Sequence, residues 1–439
     1  MFSANNRTSV NGLSLLIDLL SQRGADFEPI LMTSERFDSI GGYPVINSKD
    51  RGFFFKIKQK AKRRDNRFSK DNTETERLGS DSITNRDQIF NKGKKRILYI
   101  VPHFIVCFIR IIQDLIYADG ILDKVKPDWI IVSDDRVGGV QLALLKKAKG
   151  RGIPIIMVSV AIQTLYKKDG FGPLLFDESR FVTNKLFDVN RFQSRKQILR
   201  IGEDERVFFP SYYYFALRCF NMAPEHPWVS GANASDCVYT YSEEVRESIL
   251  SEEPGKKVIV SGLVEDDYIL RNIKDSASIK LNLLEKYNLS CDDKVVLLSM
   301  PQLAEHNLVS WDIHIHNMDV LTKLLSREYG KLFVSLHPKS RKQDYEYLKK
   351  YNVTIIDEKL RDVMVAADYF FCLSNSSTTH YAGILHIPGY DLDMDCFLDY
   401  LNEESDINAL GRERDISSDT FSSKSVVDYI FDELNENIK

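Results

Sequence analysis

Four short stretches of this 439-residue chain combine residue types that could do chemistry, and each follows an apolar run that reads as a β-strand. Leu336-His337-Pro338-Lys339 closes the run from Lys331 to Leu336. Its proline fixes the exit of the chain, and its imidazole and ammonium both suit phosphate oxygens. A turn with incidental polar residues would carry the same letters. Ser374-Asn375-Ser376-Ser377-Thr378-Thr379 follows the run Tyr369 to Leu373 and precedes a helical pattern. Hydroxyls and amide N–H groups at a helix start form an anion site, although serine and threonine are equally the favoured helix caps. The two motifs are spaced as neighbouring α/β units of one domain would place them, so a diphosphate lying across both is the expected ligand.

The third stretch, Val132-Ser133-Asp134-Asp135-Arg136, ends a run in the first half of the chain. Adjacent side chains diverge, so one of Asp134 and Asp135 is expected to face a cleft and act as general base for an acceptor hydroxyl. The alternative is a solvated turn or cap. The fourth is Val260-Ser261-Gly262 with, one strand later, Ser299-Met300-Pro301-Gln302 running on to Glu305 and His306. Glycine after a strand admits a ligand close to the backbone or simply makes a tight turn. Gly262, Met300 and Gln302 therefore join His337, Lys339, Ser374, Ser376, Ser377 and Thr378 as the expected nucleotide-phosphate contacts. His314 and His316 stand two apart on a helical pattern and so point to different faces, which is no metal pair. No HExxH, Walker or GxSxG pattern is present, and neither a metal nor a cofactor is expected.

The elements that must position these residues alternate short β-branched runs with amphipathic stretches, the pattern of α/β units with parallel strands. In the first half a helix is expected over Gly12 to Arg23, strands over Pro29 to Met32, Trp129 to Val132 and Ile153 to Val158, and a helix over Gly139 to Lys149. Before the first helix only Met1 to Ala4 could supply a strand. In the second half strands are expected at Lys257–Val260, Lys294–Ser299, Lys331–Leu336, Val353–Ile356 and Tyr369–Leu373. Helices fall at Asp312–Arg327, Lys342–Lys350, Leu360–Ala367, Thr378–Leu385 and Ser425–Leu434.

The first domain is expected to span residues 1–238 and the second 239–439. Two excursions interrupt the first. One, about 56–96, opens with the basic run Lys56 to Arg64 beside Phe53-Phe54-Phe55 and suits an anionic membrane or lipid-linked acceptor as well as a plain solvated loop. The other, about 171–228, is aromatic and is expected to form helices lining the cleft.

Composition narrows the class. A net charge of −4 gives no global pull towards nucleic acid. The six cysteines include no CxxC pair and read as reduced thiols of a cytoplasmic protein. The most apolar stretch, Ile97 to Ile112, is interrupted by Pro102, His103 and Arg110 and is too short to span a bilayer.

From about Asp236 to Gly389 the chain resembles the C-terminal domain of GT-B glycosyltransferases. The carrying residues are Ala-Ser-Asp-Cys-Val-Tyr (234–239), Val-Ile-Val-Ser-Gly (258–262), His-Pro-Lys (337–339), Ala-Asp-Tyr with Ser-Asn-Ser-Ser-Thr (367–378), and Ile-Pro-Gly (387–389). The His-Pro and Ser-Ser/Thr pair is similar to that of bacterial sialyl- and polysialyltransferases, 3-deoxy-manno-octulosonate transferases and glycerophosphotransferases. The resemblance implies two Rossmann-like domains facing across a cleft, with His337 and Ser376, Ser377 or Thr378 holding the donor phosphate. More distantly, Lys126-Pro127-Asp128 with Val132 to Asp135 resembles the UDP-N-acetylglucosamine 2-epimerases. Their next strand ends in a catalytic carboxylate, where this chain has Ser159-Val160-Ala161.

The expectation is therefore a metal-independent, nucleotide-sugar-dependent glycosyltransferase of bacterial surface polysaccharide assembly, capsule or O-antigen. Its partners would be a nucleotide-sugar donor and a glycan or lipid-linked acceptor at the inner face of the membrane. The alternatives are a 2-epimerase and a non-catalytic GT-B-like binding module.

Overall fold

The computed structural model describes residues 1–4, 7–25, 27–33, 45–47, 93–136, 138–161, 182–183, 195–201, 204–306, 308–337, 340–374, 376–402, 404–414 and 425–436. They form two compact units, one of residues 1–261 with 433–436 and the other of residues 262–432. The basic run Lys56 to Arg64, Phe53 to Phe55 and Lys339 lie outside the described residues.

The first unit is a seven-stranded sheet, parallel throughout. Its strands are β1 (Phe2–Ala4), β2 (Leu31–Thr33), β3 (Val45–Asn47), β4 (Ile130–Val132) and β5 (Ile155–Val158), then, beyond a small antiparallel sheet, β9 (Cys237–Thr240) and β10 (Lys257–Val260). The small sheet comprises β6 (Val182–Thr183), β7 (Ile198–Ile201) and β8 (Asp204–Val207). The large sheet runs β10-β9-β5-β4-β1-β2-β3. β4 and β5 are buried along their whole length, which is why they read as unbroken apolar runs.

Five helices accompany these strands: α1 (Arg7–Gln22), α2 (Gly93–Val125), α3 (Val140–Gly150), α4 (Ser211–Cys219) and α5 (Glu243–Glu252). α1 buries Leu13, Leu16, Ile17 and Leu20, and α3 buries Leu142, Ala143 and Leu145. The three-residue β1 answers the question left by the sequence, and it pairs with both β2 and β4.

Two expectations change here. The first sheet takes in β9 and β10, so the boundary falls at Ser261/Gly262 rather than 238/239. The aromatic stretch up to residue 228 holds, in its described part, strands as well as helix α4.

The second unit has a six-stranded sheet of β11 (Val296–Ser299), β12 (Leu332–Ser335), β13 (Val353–Ile355), β14 (Tyr369–Leu373), β15 (Gly389–Leu392) and β16 (Gly411–Glu413). The order is β13-β12-β11-β14-β15-β16, parallel except for the β15–β16 pair. Its helices are α6 (Val264–Asn272), α7 (Ser276–Lys286), α8 (Trp311–Tyr329), α9 (Leu360–Val363), α10 (Ser377–Ile384), α11 (Ile407–Leu410) and α12 (Val426–Glu436), the last running on into residues of the first unit. Residues 342–350 form 3₁₀ turns where a regular helix was expected.

α8 illustrates the local logic. Ser310 Oγ accepts from Ile313 N at 3.3 Å, Gly330 ends the helix at φ 84°, and Met318, Leu321 and Leu325 face the core between them. The chain therefore contains two Rossmann-like α/β units.

Candidate functional site

Both sheets reverse their winding beside their first strand. In the second unit the chain lays β12 and β13 on one side of β11, then returns to lay β14 and β15 on the other. The switch point lies between the carboxyl ends of β11 and β14, where an open parallel sheet leaves a crevice for ligands. Met300 and Gln302 follow β11, His337 follows β12, and Ser374 to Thr378 follow β14. Topology thus brings the expected phosphate contacts to three adjacent strand ends.

Their hydrogen bonds assign finer roles. Met300 is buried, and its N–H donates to Ser335 O at 3.0 Å. His337 is exposed. Ser376 caps α10: its Oγ accepts from Thr378 N at 3.3 Å and lies 2.7 Å from Thr378 Oγ1. The capping reading of this motif is therefore realised, and the first turn of α10 points its amide dipole at the switch point. Ser374 N donates to Leu392 O at 2.8 Å, tying the motif to β15. Ser377 is the first helical residue.

Glycine at 262 has a conformational reason. Its φ is 81°, and a Cβ there would lie 2.9 Å from Asp266 Oδ2. That carboxylate accepts from Leu263 N at 2.6 Å and from His380 Nε2 at 3.0 Å. Gly262 thus serves the turn into α6.

Residues that the sequence reading did not single out organise this edge. His380 on α10 reaches Asp266 of α6. Beside it Glu265 accepts from Tyr381 OH and pairs with Arg361 Nη1 at 2.7 Å. Together these bonds tie α10 to α6 and α6 to Arg361. Tyr345 OH donates to Glu305 Oε1 at 2.6 Å, and Ser340 Oγ donates to the same oxygen at 2.6 Å. Gln302 Nε2 lies 3.4 Å from Ser340 Oγ, so the turns after β11 and β12 are laced together. Burial, reinforced by Glu305, pushes the Tyr345 phenol well up, and burial lowers the His314 pKa beside it. His314 and His316 take separate partners, Tyr345 OH and Leu401 O, as their spacing implied.

Asp267, one residue beyond Asp266, accepts from Val427 N at 3.0 Å. Burial pushes its carboxyl up to about 6, against the bonds from Val427 and Ser425 that favour the charge. An unfolded aspartate titrates near 3.9. The folded chain therefore binds this proton more tightly, and the resulting stabilisation is full below about pH 4 and lost as pH rises to about 6. Asp267→Asn should match wild type near pH 4 and exceed it by about 2–3 kcal/mol at pH 7.5. Urea titrations of both proteins at the two pH values measure this, and parallel pH dependences would refute it.

In the first unit the switch point lies between β1 and β4, and Ser133-Asp134-Asp135 follows β4. The two carboxylates diverge as expected, but neither faces open solvent as a free base. Asp135 is fully buried. It accepts from Gly231 N at 2.9 Å, Asn233 N at 3.0 Å and Ser235 Oγ at 3.0 Å. Its expected role as a cleft-facing base is corrected to that of a clamp on the 231–235 loop, because every lone-pair direction already has a donor.

Asp134 keeps a partly exposed side chain but is gripped by Arg136, through Nε at 3.0 Å and Nη2 at 2.8 Å. Burial would raise its pKa. The Arg136 charge and hydrogen bonds outweigh burial and hold it below the usual carboxylate range. The hydroxyls of Ser3, Ser133 and Ser159, at or just beyond the carboxyl ends of β1, β4 and β5, are buried without a protein partner.

Glu225, His226 and Glu253 come closest to a metal-ligand set among the described residues. However, Lys196 Nζ lies 3.2 Å from Glu225 Oε1 and 3.3 Å from His226 Nε2, so an ammonium already occupies that corner.

No protein-family model matches the chain, and no curated protein sequence does. Solved structures resemble it at low identity. UDP-GlcNAc 2-epimerase from Methanocaldococcus jannaschii aligns with TM-score 0.49 and 15% identity, over 99% of either chain. UDP-GlcNAc 2-epimerase from Neisseria meningitidis bound to UDP-GlcNAc gives 0.45 and 13%, over 100% of this chain and 90% of that one. A variant of the wall teichoic acid polymerase TagF gives 0.48 and 12%, over 100% and 88%.

Proposed function

We propose that the chain is a nucleotide-sugar-dependent glycosyltransferase of GT-B organisation, acting in bacterial surface polysaccharide assembly. The observation that carries this reading is the switch point of the second sheet, where Gln302, His337 and the capped start of α10 occupy adjacent strand ends. A diphosphate placed there would meet an imidazole, helix-terminal amides and, from the sequence, the Lys339 ammonium. Such donors suit the charge that develops on a departing phosphate.

Acceptor activation falls to Asp134, since Asp135 is committed to its loop, and it requires the Arg136 pair to open. The orphan hydroxyls at the first sheet's carboxyl edge suit a polar substrate approaching that side.

A thermal-shift series with CMP, CDP, UDP and GDP tests the donor site. A nucleotide at ~100 times its Kd stabilises by about 2.7 kcal/mol. His337→Ala should weaken that nucleotide about ten-fold while leaving the unliganded melting temperature unchanged. No shift with any of the four at millimolar concentration would sink the reading.

A further inference from the structure

Helix α2 is apolar on two sides. Its inward side packs on the core of the first unit through Ile111, Ala118, Ile121 and Leu122, with the Phe108 ring tilted against that of Phe220 at a centroid distance of 4.7 Å. Its outward side carries Val101, Ile105, Val106, Ile109, Ile112 and Ile116, with exposures of 37–68%. The steps 101, 105, 109, 112 and 116 keep to one face and make a stripe about 22 Å long at 1.5 Å per residue. A water-facing helix side is normally polar, and a run of branched aliphatics this long marks an interaction surface.

Charge selects the partner. From Gly93 to Gln113 the sequence of α2 holds Lys94, Lys95, Arg96 and Arg110 and no acidic residue. The first acid, Asp114, is buried. Asp119 and Asp123 come after the stripe and pair with Lys147 and Arg151. An anionic bilayer fits, since the aliphatics suit the acyl boundary and this stretch of sequence adds four basic residues and no acid.

No helix among the described residues is long and apolar enough to cross a membrane, and the inward side of α2 is already committed to the protein core. We propose that α2 docks the chain on an anionic membrane surface, lying in the interface with its Val101–Ile116 stripe towards the lipid. This holds whether or not the donor-site reading does.

Co-sedimentation of the full chain with vesicles of phosphatidylglycerol and phosphatidylcholine tests it, against phosphatidylcholine alone and at 0.1 M and 1 M salt. The comparison variant is Ile105→Ser/Ile109→Ser/Ile112→Ser. It alters outward positions only and leaves Lys56 to Arg64 intact, and an unchanged melting temperature verifies its fold. Wild type should bind the anionic vesicles, more weakly at 1 M salt and on phosphatidylcholine, and the variant should bind at least ten-fold more weakly. Equal binding by both proteins, or no binding by wild type, overturns the proposal. So does a dimer-to-monomer change in light scattering with vesicle binding unaltered, which would assign the stripe to self-association.

Discussion

Asp135→Ala should destabilise the first unit by about 2–6 kcal/mol, because it leaves two N–H donors unpaired. The carboxylate has no exposure, and its removal leaves Gly231 N and Asn233 N without their acceptor, while Ser235 Oγ keeps Gly231 O at 3.1 Å. Each such donor costs about 1–3 kcal/mol when left unpaired. Asp135→Asn keeps the volume and one acceptor oxygen but turns an NH₂ towards donors, so it should lose about 2–3 kcal/mol. In a unit of this size, each kcal/mol lowers the melting point by roughly 2–4 °C. Thermal and urea unfolding of the three proteins measure the series. An alanine variant melting within about 2 °C of wild type would show that the clamp contributes little.

Gly389→Ala should be at least as damaging to the second unit. Gly389 opens β15 at φ 148°, paired with Phe370 of β14. A Cβ built there would stand 2.0 Å from Phe370 O and 2.8 Å from its carbonyl carbon. Both contacts are backbone, so no rotamer change relieves them and the strands must part. Arg414 holds the same place, with its N–H on Gly389 O at 2.9 Å and Nη1 on Ile387 O at 2.9 Å. Overpacking of this severity exceeds the usual 1–3 kcal/mol, and a loss above about 4 kcal/mol is expected. Soluble yield and melting temperature, compared with Gly255→Ala where a Cβ meets nothing within 4 Å, check it. Equal behaviour of the two variants would refute it. Because Ser374 hangs on Leu392 of the displaced strand, the turn after β14 should lose order as well.

Four of the six strands of the second sheet, β11 to β14, were legible because they are buried apolar runs ended by polar punctuation, whereas β15 and β16, short and more polar, were not anticipated. The expected strand Lys294–Ser299 differs from β11 only at its amino end, and the strand expected at Tyr369–Leu373 is β14. Sheet membership was not legible. Cys237–Thr240 looks locally like any other buried strand, and only its pairing with Ile156 to Val158, some eighty residues earlier, assigns it to the first unit.

The same limit hid the roles of single residues. Asp134 and Asp135 are identical in type, and what separates them is that one meets Arg136 two residues on while the other meets a distant loop. His380 finds Asp266 across 114 residues. The length of α2 was masked by Pro102, which lies on the exposed side of the helix and did not end it.

The clamp at Asp135 also carries a consequence for the order of events during synthesis. Its donors follow it in the chain by 96 to 100 residues. At about 5–20 residues per second, a nascent chain would carry the carboxylate for about 5–20 s before Ser235 emerges. Over that interval the charge stays hydrated, and the turn after β4 has nothing to close on. β9, which begins two residues after Ser235, is not yet available to flank β5. The charge is therefore buried late, in a step that also brings β9 onto β5, while β10 and residues 433–436 of the same unit are still to come.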